Sequence, residues 1–464
     1  MKLKVEQIIQ MVEGTFCGDA HLLSNVVFGV TTDSRKVNQN ELFVPLIGEK
    51  FDGHRYVDIA HAEGALISLW QEDRGTPPEH NPVIVVKDTL QALQLLARRY
   101  REQRNVVVVG VTGSNGKTTT KDMIAAILSM KYNVCKTKGN LNNHIGLPLT
   151  LLQMDEETEV AVVEMGMNHR GEIELLSTLA QPDIAVITNI GDAHLMQLGS
   201  REEIARAKFE ILVGLRDNGT LIYPQLDSGV SKVLNELNLD DLHRRHTIQV
   251  GMDEDSDVYP THMEYEHDGI TFKHNQLPDE QIYVPLLGKH NVWNALHAMT
   301  VGKLLDIDQE MIKEALARVK ITGMRLEKEK GIKGCTILND CYNASPTSLK
   351  AALKLLEDSS SYCRRIAVLA DMLELGEKEV SLHREIGESI DGQRLDYLFV
   401  YGELGKHIAE GAEKVIAKER IFVYQDKIAL SHHLIELVNQ DDLILFKGSR
   451  GMFLEEVVYH LKVK

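Results

Sequence analysis

The chain has 464 residues, of which 43% are apolar and 26% charged. Because this length is too great for a single hydrophobic core, about three domains are predicted. Its net charge of −17 argues against general nucleic-acid binding, because such binding relies on a basic surface. No apolar run approaches the roughly 20 residues of a membrane span, and five scattered cysteines suggest neither disulfides nor a zinc site.

The first zone of the chain covers residues 1–83 and mixes short strands with polar turns. Residues 1–12 have the pattern of an amphipathic helix and lack the apolar core of a signal peptide, so we expect a cytoplasmic protein. The Pro/Gly-rich segment 75–78 indicates a boundary near the end of this zone. A short strand at 83–86 and a helix at 90–103 are predicted next.

The most informative segment lies at residues 106–120. Its unbroken β-branched run predicts a buried parallel strand, followed by a glycine-rich turn and a helix that begins at Lys117. Backbone N–H groups of the turn, the helix N-terminus and the lysine ammonium would form a cradle for anions. Thr118 offers a hydroxyl to a phosphate-bound Mg²⁺. The segment therefore predicts a nucleoside triphosphate site.

The glycine spacing departs from the standard P-loop, which has a glycine five residues before Gly116, where this chain has Val111. Gly113 precedes Gly116 by three residues, which indicates a tighter variant. A dinucleotide-binding fingerprint does not fit, because Gly110, Gly113 and Gly116 are spaced three and three. A purely structural glycine turn is the remaining alternative.

From residue 84 to 321, strands and helices alternate, which predicts βαβ units and a parallel sheet. Strands are expected at 160–165, 184–189 and 219–223. Residues 252–286 interrupt the rhythm with an alternating pattern typical of an antiparallel hairpin. A helix at 291–305 closes this zone.

From residue 322 to 464 the rhythm restarts without a P-loop, which predicts a third, Rossmann-like α/β domain. The predicted strands are 336–339, 366–370, 397–401 and 443–446. The overall expectation is an α/β protein of three domains, with a small antiparallel appendage on the central one.

Ligands of open α/β sheets bind at the carboxyl ends of the strands. Glu164 ends the second central strand, where a Mg²⁺ ligand is expected beside a P-loop, although an ordinary surface carboxylate is the alternative. His194 follows the third strand and could bind a metal if neutral, or have no such role. Lys208 lies on a helix predicted at 200–215 and capped by Ser200, and the pattern alone favours a solvated lysine.

In the last zone, Ser345 and Pro346 form a helix start directly after a strand, behind a turn rich in Asp, Asn and Tyr. Such a turn is a plausible binding lip. The basic loop 447–451 at another strand end is suited to a carboxylate ligand, and an ordinary left-handed turn with solvated charges is its alternative.

Seven segments together resemble the Mur ligases, which build the peptide of bacterial cell-wall precursors. They span nearly the whole chain in the order found in that family: Thr32–Arg35, Gly113–Thr119, Gly139–Asn143, Glu164–Asn168, Gly288–Asn291, Asp340–Ala344 and Lys447–Arg450. One departure is Cys341, where relatives often have serine.

The resemblance implies ATP-dependent amide formation in peptidoglycan precursor synthesis. The terminal carboxylate of UDP-N-acetylmuramoyl-tripeptide would attack the γ-phosphate of ATP to give an acyl phosphate. The amine of D-alanyl-D-alanine would then displace phosphate. Every species on this route is anionic, so charge stabilisation and positioning are the main tasks of the enzyme. The resemblance also favours a monomer.

The resemblance implies a role for individual residues. The ATP site would comprise Gly113, Ser114, Asn115, Gly116, Lys117, Thr118, Thr119, Asn291, Asn294, Arg325 and Asp340. Mg²⁺ would be held by Thr118, Glu164, His194 and Lys208, the last as a carbamate formed with CO₂. The groups central to catalysis would be Lys117, Lys208, Glu164 and His194. The two other substrates would contact Thr32, Ser34, Arg35, Asn140, Asn142, Asn143, Tyr342, Asn343, Lys447, Ser449 and Arg450.

Three alternatives stay open at this point. A sister ligase that adds a single amino acid and a folylpolyglutamate-type synthetase share the ATP loop. A P-loop kinase or regulatory ATP-binding module would bind ATP without ligation. The sequence also leaves open whether the third residue of the tripeptide is lysine or meso-diaminopimelate.

Overall fold

The computed structural model describes residues 1–49, 51–236, 246–266 and 268–463. Three helix-covered sheets follow one another along the chain, and most of their strand pairs are parallel. The predicted α/β class with three domains is confirmed.

The first sheet has five strands, and only the edge strand Thr15–Cys17 pairs antiparallel with its neighbour. In spatial order the strands are Thr15–Cys17, Val83–Val86, Ile67–Gln71, Leu42–Phe43 and Val30–Thr31. Two short ribbons pair Leu3–Lys4 with Val26–Val27 and Ile47–Gly48 with Phe51–Asp52. The helical elements are Val5–Val12, Ala20–Ser24, Gly53–Tyr56, Val57–Glu63 and Glu72–Arg74.

The first sheet extends beyond the predicted boundary at residue 83. The strand Val83–Val86 pairs with Ile67–Gln71 on one side and Thr15–Cys17 on the other. The Pro/Gly-rich segment 75–78 therefore connects two neighbouring strands of one sheet and does not link two domains. Proline and glycine mark turns of every kind, so their density alone does not distinguish these cases.

The central sheet has six strands, all parallel. Their spatial order is Val134–Lys136, Val160–Glu164, Val107–Thr112, Ile184–Ile187, Thr220–Pro224 and His246–Val250. The accompanying helices are Thr89–Glu102, Lys117–Leu128, Gly146–Leu152, Glu172–Ala180, Leu195–Leu198, Arg201–Phe209, Ile211–Gly214, Ser228–Glu236, His290–Leu304 and Gln309–Ala317.

The helix predicted at 200–215 is two helices that meet at Glu210. Ser200 caps the first of them by accepting a hydrogen bond from Glu203 N at 3.2 Å. The side chain of Glu203 does not return the bond to the cap, because its carboxylate pairs with Arg170 and Arg206.

The predicted hairpin of residues 252–286 is a three-stranded antiparallel sheet, one strand more than expected. Its strands are Pro260–Tyr265, Ile270–His274 and Leu277–Val284. Residue 267, within the same prediction, lies outside the described residues.

The third sheet has six strands in the order Glu327–Lys330, Thr336–Asp340, Asp442–Lys447, Arg364–Ala370, Tyr397–Tyr401 and Ile421–Tyr424. Only the first pair is antiparallel. The helical elements are Ile332–Gly334, Pro346–Asp358, Gly376–Lys378, Glu379–Glu388, Gly405–Ala412, Lys418–Arg420, Lys427–Leu437, Arg450–Met452 and Glu455–Leu461. Over the described ranges, no helix has both the length and the apolar character needed to cross a bilayer.

The hydrophobic core joins the first two sheets. One apolar cluster runs from the helix Val5–Val12 through Thr89–Glu102 to Gly146–Leu152 and the central strands. The third sheet has separate clusters on its two faces. The first two domains therefore share a core, whereas the third has its own.

A buried guanidinium ties the helix Thr89–Glu102 to the central sheet, and its loss should destabilise the protein. Arg101 has no exposed side-chain surface and donates to Ala180 O at 3.0 Å and to Asp183 Oδ2 at 3.2 Å. We expect Arg101→Met to lower the free energy of unfolding by about 2–4 kcal/mol, because buried acceptors lose their donor.

Urea unfolding followed by circular dichroism measures the effect of this change. Arg216→Met is the matched control, since Arg216 pairs with the other oxygen of Asp183 at 3.0 Å but is 46% exposed. It should cost at most about 1 kcal/mol. Equal losses in the two variants would contradict a special role for the buried guanidinium.

Candidate active site

The P-loop, Gly113–Thr119, is held by the end of the neighbouring strand. Asn189 accepts hydrogen bonds from Ser114 N through its carbonyl, at 3.0 Å, and from Asn115 N through its side chain, at 2.7 Å. Thr188 Oγ1 donates to Asn115 O at 2.6 Å. The loop conformation is therefore set by two strand ends of the central sheet and not by its own sequence alone.

Both glycines of the loop are required by close approach. Gly113 has φ of +146°, and a Cβ there would lie 2.0 Å from Thr188 Oγ1. Gly116 has φ of +78°, and a Cβ there would lie 2.5 Å from Asn294 Oδ1. The three-residue spacing thus belongs to a loop pressed against its neighbours, where no side chain fits.

Lys117 folds over this loop. Its Nζ donates to Gly113 O at 2.8 Å and to Ser114 O at 3.3 Å. Burial lowers the pKa of the lysine; Glu164 opposes this effect and the charge of Arg325 adds to it. A cation thus stands over the backbone cradle, the arrangement expected of a phosphate site.

Glu164 provides oxygen ligands beside the P-loop. It is 1% exposed, and its Oε2 accepts from Thr118 Oγ1 at 2.8 Å. Its Oε1 accepts from Asn142 Nδ2, also at 2.8 Å. A carboxylate and a hydroxyl at one point form the donor set that Mg²⁺ prefers. Among the described residues, no group of three or more His, Cys, Asp or Glu side chains is placed to hold a metal ion.

His194 lies where the central domain meets the third domain. It adopts a left-handed conformation with φ of +66°, and its Nδ1 is 3.4 Å from Glu374 Oε2 of the third domain. Burial, together with the charges of Lys117 and Lys208, lowers the pKa of His194 to about 4. The ring is therefore neutral near pH 7, the form that can bind a metal.

Lys208 is completely buried, and its Nζ has no hydrogen-bond partner among the described residues. Burial, followed by the charge of Lys117, lowers its pKa well below the usual range. The alternative of a solvated lysine is therefore wrong. Lys208 lies on the helix Arg201–Phe209, whose residues Ala207 and Phe209 pack into the core. The lysine is on the same buried side of this helix.

Asn291 and Asn294 lie against the start of the P-loop helix. Asn294 Nδ2 donates to Asn291 Oδ1 at 2.9 Å, and Thr120 Oγ1 donates to Asn294 Oδ1 at 3.2 Å. Both asparagines are buried. Their position beside Gly116 is compatible with the predicted contact to ATP, which stays a prediction.

The third domain contributes charged residues to the same region. The guanidinium of Arg325 stacks on the ring of Tyr342, 3.8 Å from its centroid. Lys447 forms an ion pair with Asp340 and donates to Asn343 O at 3.0 Å. Lys447 is only 3% exposed, so the alternative of a turn with solvated charges is wrong for it.

Two adjoining cavities lie between the central and third domains. The first, of about 550 Å³, is lined by the P-loop, Glu164, Arg325 and Asp340. The second, of about 560 Å³, is lined by groups that include Asn140, Glu374, Ser449 and Arg450. Four residues line both cavities: Asn168, His194, Tyr342 and Asn343. The first cavity also contains Asn142, Asn143, Asn291, Asn294 and Lys447.

The predicted residues of the first domain stand apart from both cavities. Thr32, Ser34 and Arg35 line neither of them. Asp33 binds the guanidinium of Arg35 at 2.9 and 3.0 Å, and these hydrogen bonds lower the pKa of Asp33 to about 2. Arg35 is 84% exposed, so its role toward a substrate stays a prediction.

Sequence reasoning missed two groups that shape the site. Thr188 was not singled out as a support of the P-loop, although its place at a strand end was a usable signal. Lys121 and Asp122, in the P-loop helix, are fully buried. Two adjacent charges in a helix ordinarily indicate a solvated face, so no sequence signal identified them.

The site combines a P-loop that can bind anions, two neighbouring oxygen donors of the kind that bind Mg²⁺, and a second cavity beside the first. These are the features of a nucleotide-dependent enzyme that binds a second substrate next to the nucleotide. The chain belongs to the Mur ligase family. It matches the descriptions "Mur ligase family, catalytic domain" over residues 26–101, "Mur ligase middle domain" over 111–302 and "Mur ligase, glutamate ligase domain" over 324–450.

Relatives and solved structures resemble the chain over nearly its whole length. UDP-N-acetylmuramoyl-tripeptide–D-alanyl-D-alanine ligase of Bacillus subtilis is 47% identical over 99% of this chain and 98% of that protein. The enzyme of the same name from Escherichia coli is 36% identical over 93% of each. A crystal structure of MurF from Acinetobacter baumannii has a TM-score of 0.88 at 30% identity, covering 99% of this chain and 98% of that one.

A second solved structure is that of MurF ligase from Thermotoga maritima in complex with ADP. It has a TM-score of 0.79 at 28% identity and covers 93% of this chain and 96% of that one. Folylpolyglutamate synthase of Mycobacterium tuberculosis, at 17% identity and a TM-score of 0.62, shares the fold alone.

Replacing Gly116 should weaken nucleotide binding through steric conflict. In Gly116→Ala the new Cβ would meet Asn294 Oδ1 at 2.5 Å in a left-handed conformation. We expect the affinity for Mg²⁺–ADP to fall at least about tenfold, equivalent to about 1.4 kcal/mol. Isothermal titration calorimetry measures this change.

Gly171→Ala separates steric conflict from backbone strain. Gly171 caps the helix Glu172–Ala180 with φ of +85° and ψ of −16°, close to the +78° and −6° of Gly116, but nothing lies within 4 Å of its Cβ position. This variant should bind nucleotide like the wild type. Unchanged affinity in Gly116→Ala would mean that the P-loop does not need this close approach.

Proposed function

We propose that this protein joins D-alanyl-D-alanine to UDP-N-acetylmuramoyl-tripeptide through an amide bond, converting ATP to ADP and phosphate. The observation that carries the proposal is the meeting of two cavities at His194 and Tyr342, one containing the P-loop and the other open to a second substrate. The 47% identity to the Bacillus subtilis ligase across the whole chain supports the same assignment.

The first step is attack of the tripeptide carboxylate on the γ-phosphorus of ATP. An oxygen–phosphorus bond forms to give an acyl phosphate, and the bond to the β-phosphate oxygen breaks to release ADP. Two anions must approach each other, so Lys117 and Arg325 are placed to offset the charge. Thr118 and Glu164 would hold Mg²⁺, which when bound neutralises phosphate charge.

The second step is attack of the dipeptide amine on the acyl carbon. The amine loses a proton, the new carbon–nitrogen bond forms, and phosphate leaves. The second cavity offers the approach to this carbon, and Arg450 and Ser449 are candidates for the dipeptide carboxylate. Tyr342 and Asn343 line both cavities and would stand beside the reacting bond.

The remaining substrate contacts are proposed by position. Asn142 and Asn143 line the cavity of the P-loop, and Asn140 lines the second, so all three suit the peptide of the precursor. Thr32, Ser34 and Arg35 of the first domain would contact its uridine diphosphate. Arg35 already binds one carboxylate in a fork geometry that suits a diphosphate equally well.

Lys208 is proposed to react with CO₂. Its nitrogen would bond to the carbon of CO₂ and lose a proton, giving a carbamate in place of an amine. A buried, unpartnered Nζ with a lowered pKa is a neutral nucleophile, as this reaction needs. The product is an anion near Lys117, whose charge already acts on Lys208.

We further propose that the enzyme acts as a monomer in the cytoplasm, on small molecules and not on nucleic acid. We propose that the first domain ends after the strand Val83–Val86 and that the second domain ends near residue 321. Each of the three parts would then have one task, with the precursor, ATP and the dipeptide bound in chain order.

Dipeptide-dependent phosphate release tests the proposed function. With ATP, Mg²⁺ and UDP-N-acetylmuramoyl-tripeptide, the purified chain should release phosphate when D-alanyl-D-alanine is added. L-lysine, meso-diaminopimelate and glutamate should give no release, because they lack the second residue that would fill the second cavity. Release with a single amino acid would indicate a sister ligase, and ATP binding without any release would indicate a regulatory module.

The carbamate of Lys208 has its own test. After incubation with ¹³C-bicarbonate, the wild type should show a protein-bound carbamate carbon by NMR, and Lys208→Ala should not. Lys208→Ala should also lower turnover about 100-fold or more, the usual effect of removing one charge contact at a reacting centre.

Lys414→Ala is the matched control for Lys208→Ala, because Lys414 is 64% exposed and pairs with Glu388 on the surface. It should keep both the carbamate signal and wild-type turnover. A carbamate signal that persists in Lys208→Ala would assign the modification elsewhere.

A further inference from the structure

Two adjacent charges of the P-loop helix are completely buried. The side chains of Lys121 and Asp122 have no exposed surface, and Lys121 Nζ lies 3.4 Å from Asp122 Oδ1. The same carboxylate oxygen accepts from Lys136 Nζ at 2.7 Å. Neither Lys121 nor Asp122 lines either cavity, so the proposed reaction gives neither a direct role. A buried charge network of this kind needs a reason, because desolvation makes it costly.

The second oxygen of Asp122 binds the start of the connection to the third domain. Asp122 Oδ2 accepts two hydrogen bonds from Thr322, one from the backbone N at 2.8 Å and one from Oγ1 at 2.7 Å. These residues lie 200 positions apart in the chain. The carboxylate therefore fixes the chain three residues before Arg325.

The far end of the connection is held by the third domain. Tyr342 N donates to Met324 O at 3.2 Å, and Leu326 N donates to Asp340 Oδ1 at 3.3 Å. Met324 and Leu326 both have positive φ, +61° and +51°. Arg325 thus stands between two left-handed residues, a strained backbone that persists only when its surroundings fix it.

Lys121, the other member of the buried pair, lies close to Glu164, whose carboxylate accepts a hydrogen bond from Thr118. Lys121 Nζ donates to Thr137 O at 2.9 Å and lies 3.9 Å from Glu164 Oε2. Thr137 Oγ1 in turn accepts from Glu164 N at 2.9 Å. One buried network therefore joins the carboxylate beside Thr118 to the segment that carries Arg325.

We propose that Asp122 is a positioning residue that holds Thr322 so that Arg325 faces the phosphates bound by Lys117. The P-loop helix thereby aligns both cations, one that it carries and one from the connection to the third domain. This inference rests on the proposed function and deepens it, because it names the group that sets the geometry of phosphate transfer.

Thr322→Val tests the proposal without replacing either residue of the buried pair; Thr322 also lines the second cavity, so KM for D-alanyl-D-alanine is measured beside KM for ATP. It removes the hydroxyl donor and keeps the backbone donor, the shape and the charge of Asp122. We expect kcat to fall about tenfold while KM for ATP stays within error, because alignment and not binding is impaired; the melting temperature should fall as well, because buried Asp122 loses one donor. Thr322→Ser, which keeps the hydroxyl, should restore kcat.

A double-mutant cycle identifies the residue through which Thr322 acts. In an Arg325→Ala background, Thr322→Val should change kcat by less than about twofold, because the group that it aligns is already gone. Thr158→Val is the matched control: Thr158 Oγ1 donates to Asp155 Oδ1 at 2.8 Å at the opposite end of a central strand. That variant should keep wild-type kcat.

Two results would overturn the positioning role while the proposed function stands. One is a wild-type kcat in Thr322→Val. The other is a tenfold loss that is the same with and without Arg325, which would mean that Thr322 acts independently of the arginine. If the wild type itself shows no dipeptide-dependent release of phosphate, the proposed function fails, and the positioning role fails with it.

Discussion

The arrangement of positive charge around one cavity is the constraint on which the rest of the structure depends. Lys117, Lys208 and His194 each have a pKa lowered first by burial, and neighbouring positive charges lower it further. Arg325 adds another charge from outside the central domain. Lys117 and Arg325 repel each other in this poorly solvated site, so an anionic ligand between them stabilises both cations. The phosphates of ATP, the acyl phosphate and the released phosphate all meet that requirement.

The fold places these charges by combining strand ends from two sheets. The central sheet supplies the P-loop and Glu164, and the third sheet supplies Asp340 and Lys447, which are direct neighbours in its register. Two contacts join the sides: Thr347 Oγ1 donates to Asp192 Oδ2 at 2.9 Å, and His194 lies against Glu374. Asp192 and His194 belong to the same strand-end segment as Asn189, which shapes the P-loop. The position of the third domain therefore directly affects the strand-end segment that supports the P-loop.

Local sequence signals predicted the elements that position the site. The valine run and its glycines predicted the P-loop strand and helix, and the strand bounds 397–401 and the helix start at Ser345 are as predicted. These succeed because β-branched runs, caps and prolines act within a few residues. The carboxyl-end rule also placed Glu164 beside the loop, where the structure has it.

What the sequence could not predict depends on contacts between distant segments. The edge strand Glu327–Lys330 consists only of charged residues and has no strand pattern, yet it pairs along Thr336–Asp340. Lys208 and Asp122 look solvated in sequence but are buried by packing of other elements. The strand Val83–Val86 was recognised, but its membership of the first sheet follows from partners at residues 15–17 and 67–71. Tertiary pairing decides these cases, and local propensity does not.

Lys208 and Asp122 show two ways in which a buried charge can be accommodated. Asp122 is saturated by Lys121, Lys136 and the two donors of Thr322, so its burial serves to fix a geometry. Lys208 has no such partners, and an unsatisfied polar group in the core destabilises a fold by about 1–3 kcal/mol. A residue that served stability alone would be replaced by an apolar one with a gain in stability. The unpartnered nitrogen, whose pKa is lowered by burial and by the charge of Lys117, is therefore the observation on which the proposed carbamate rests.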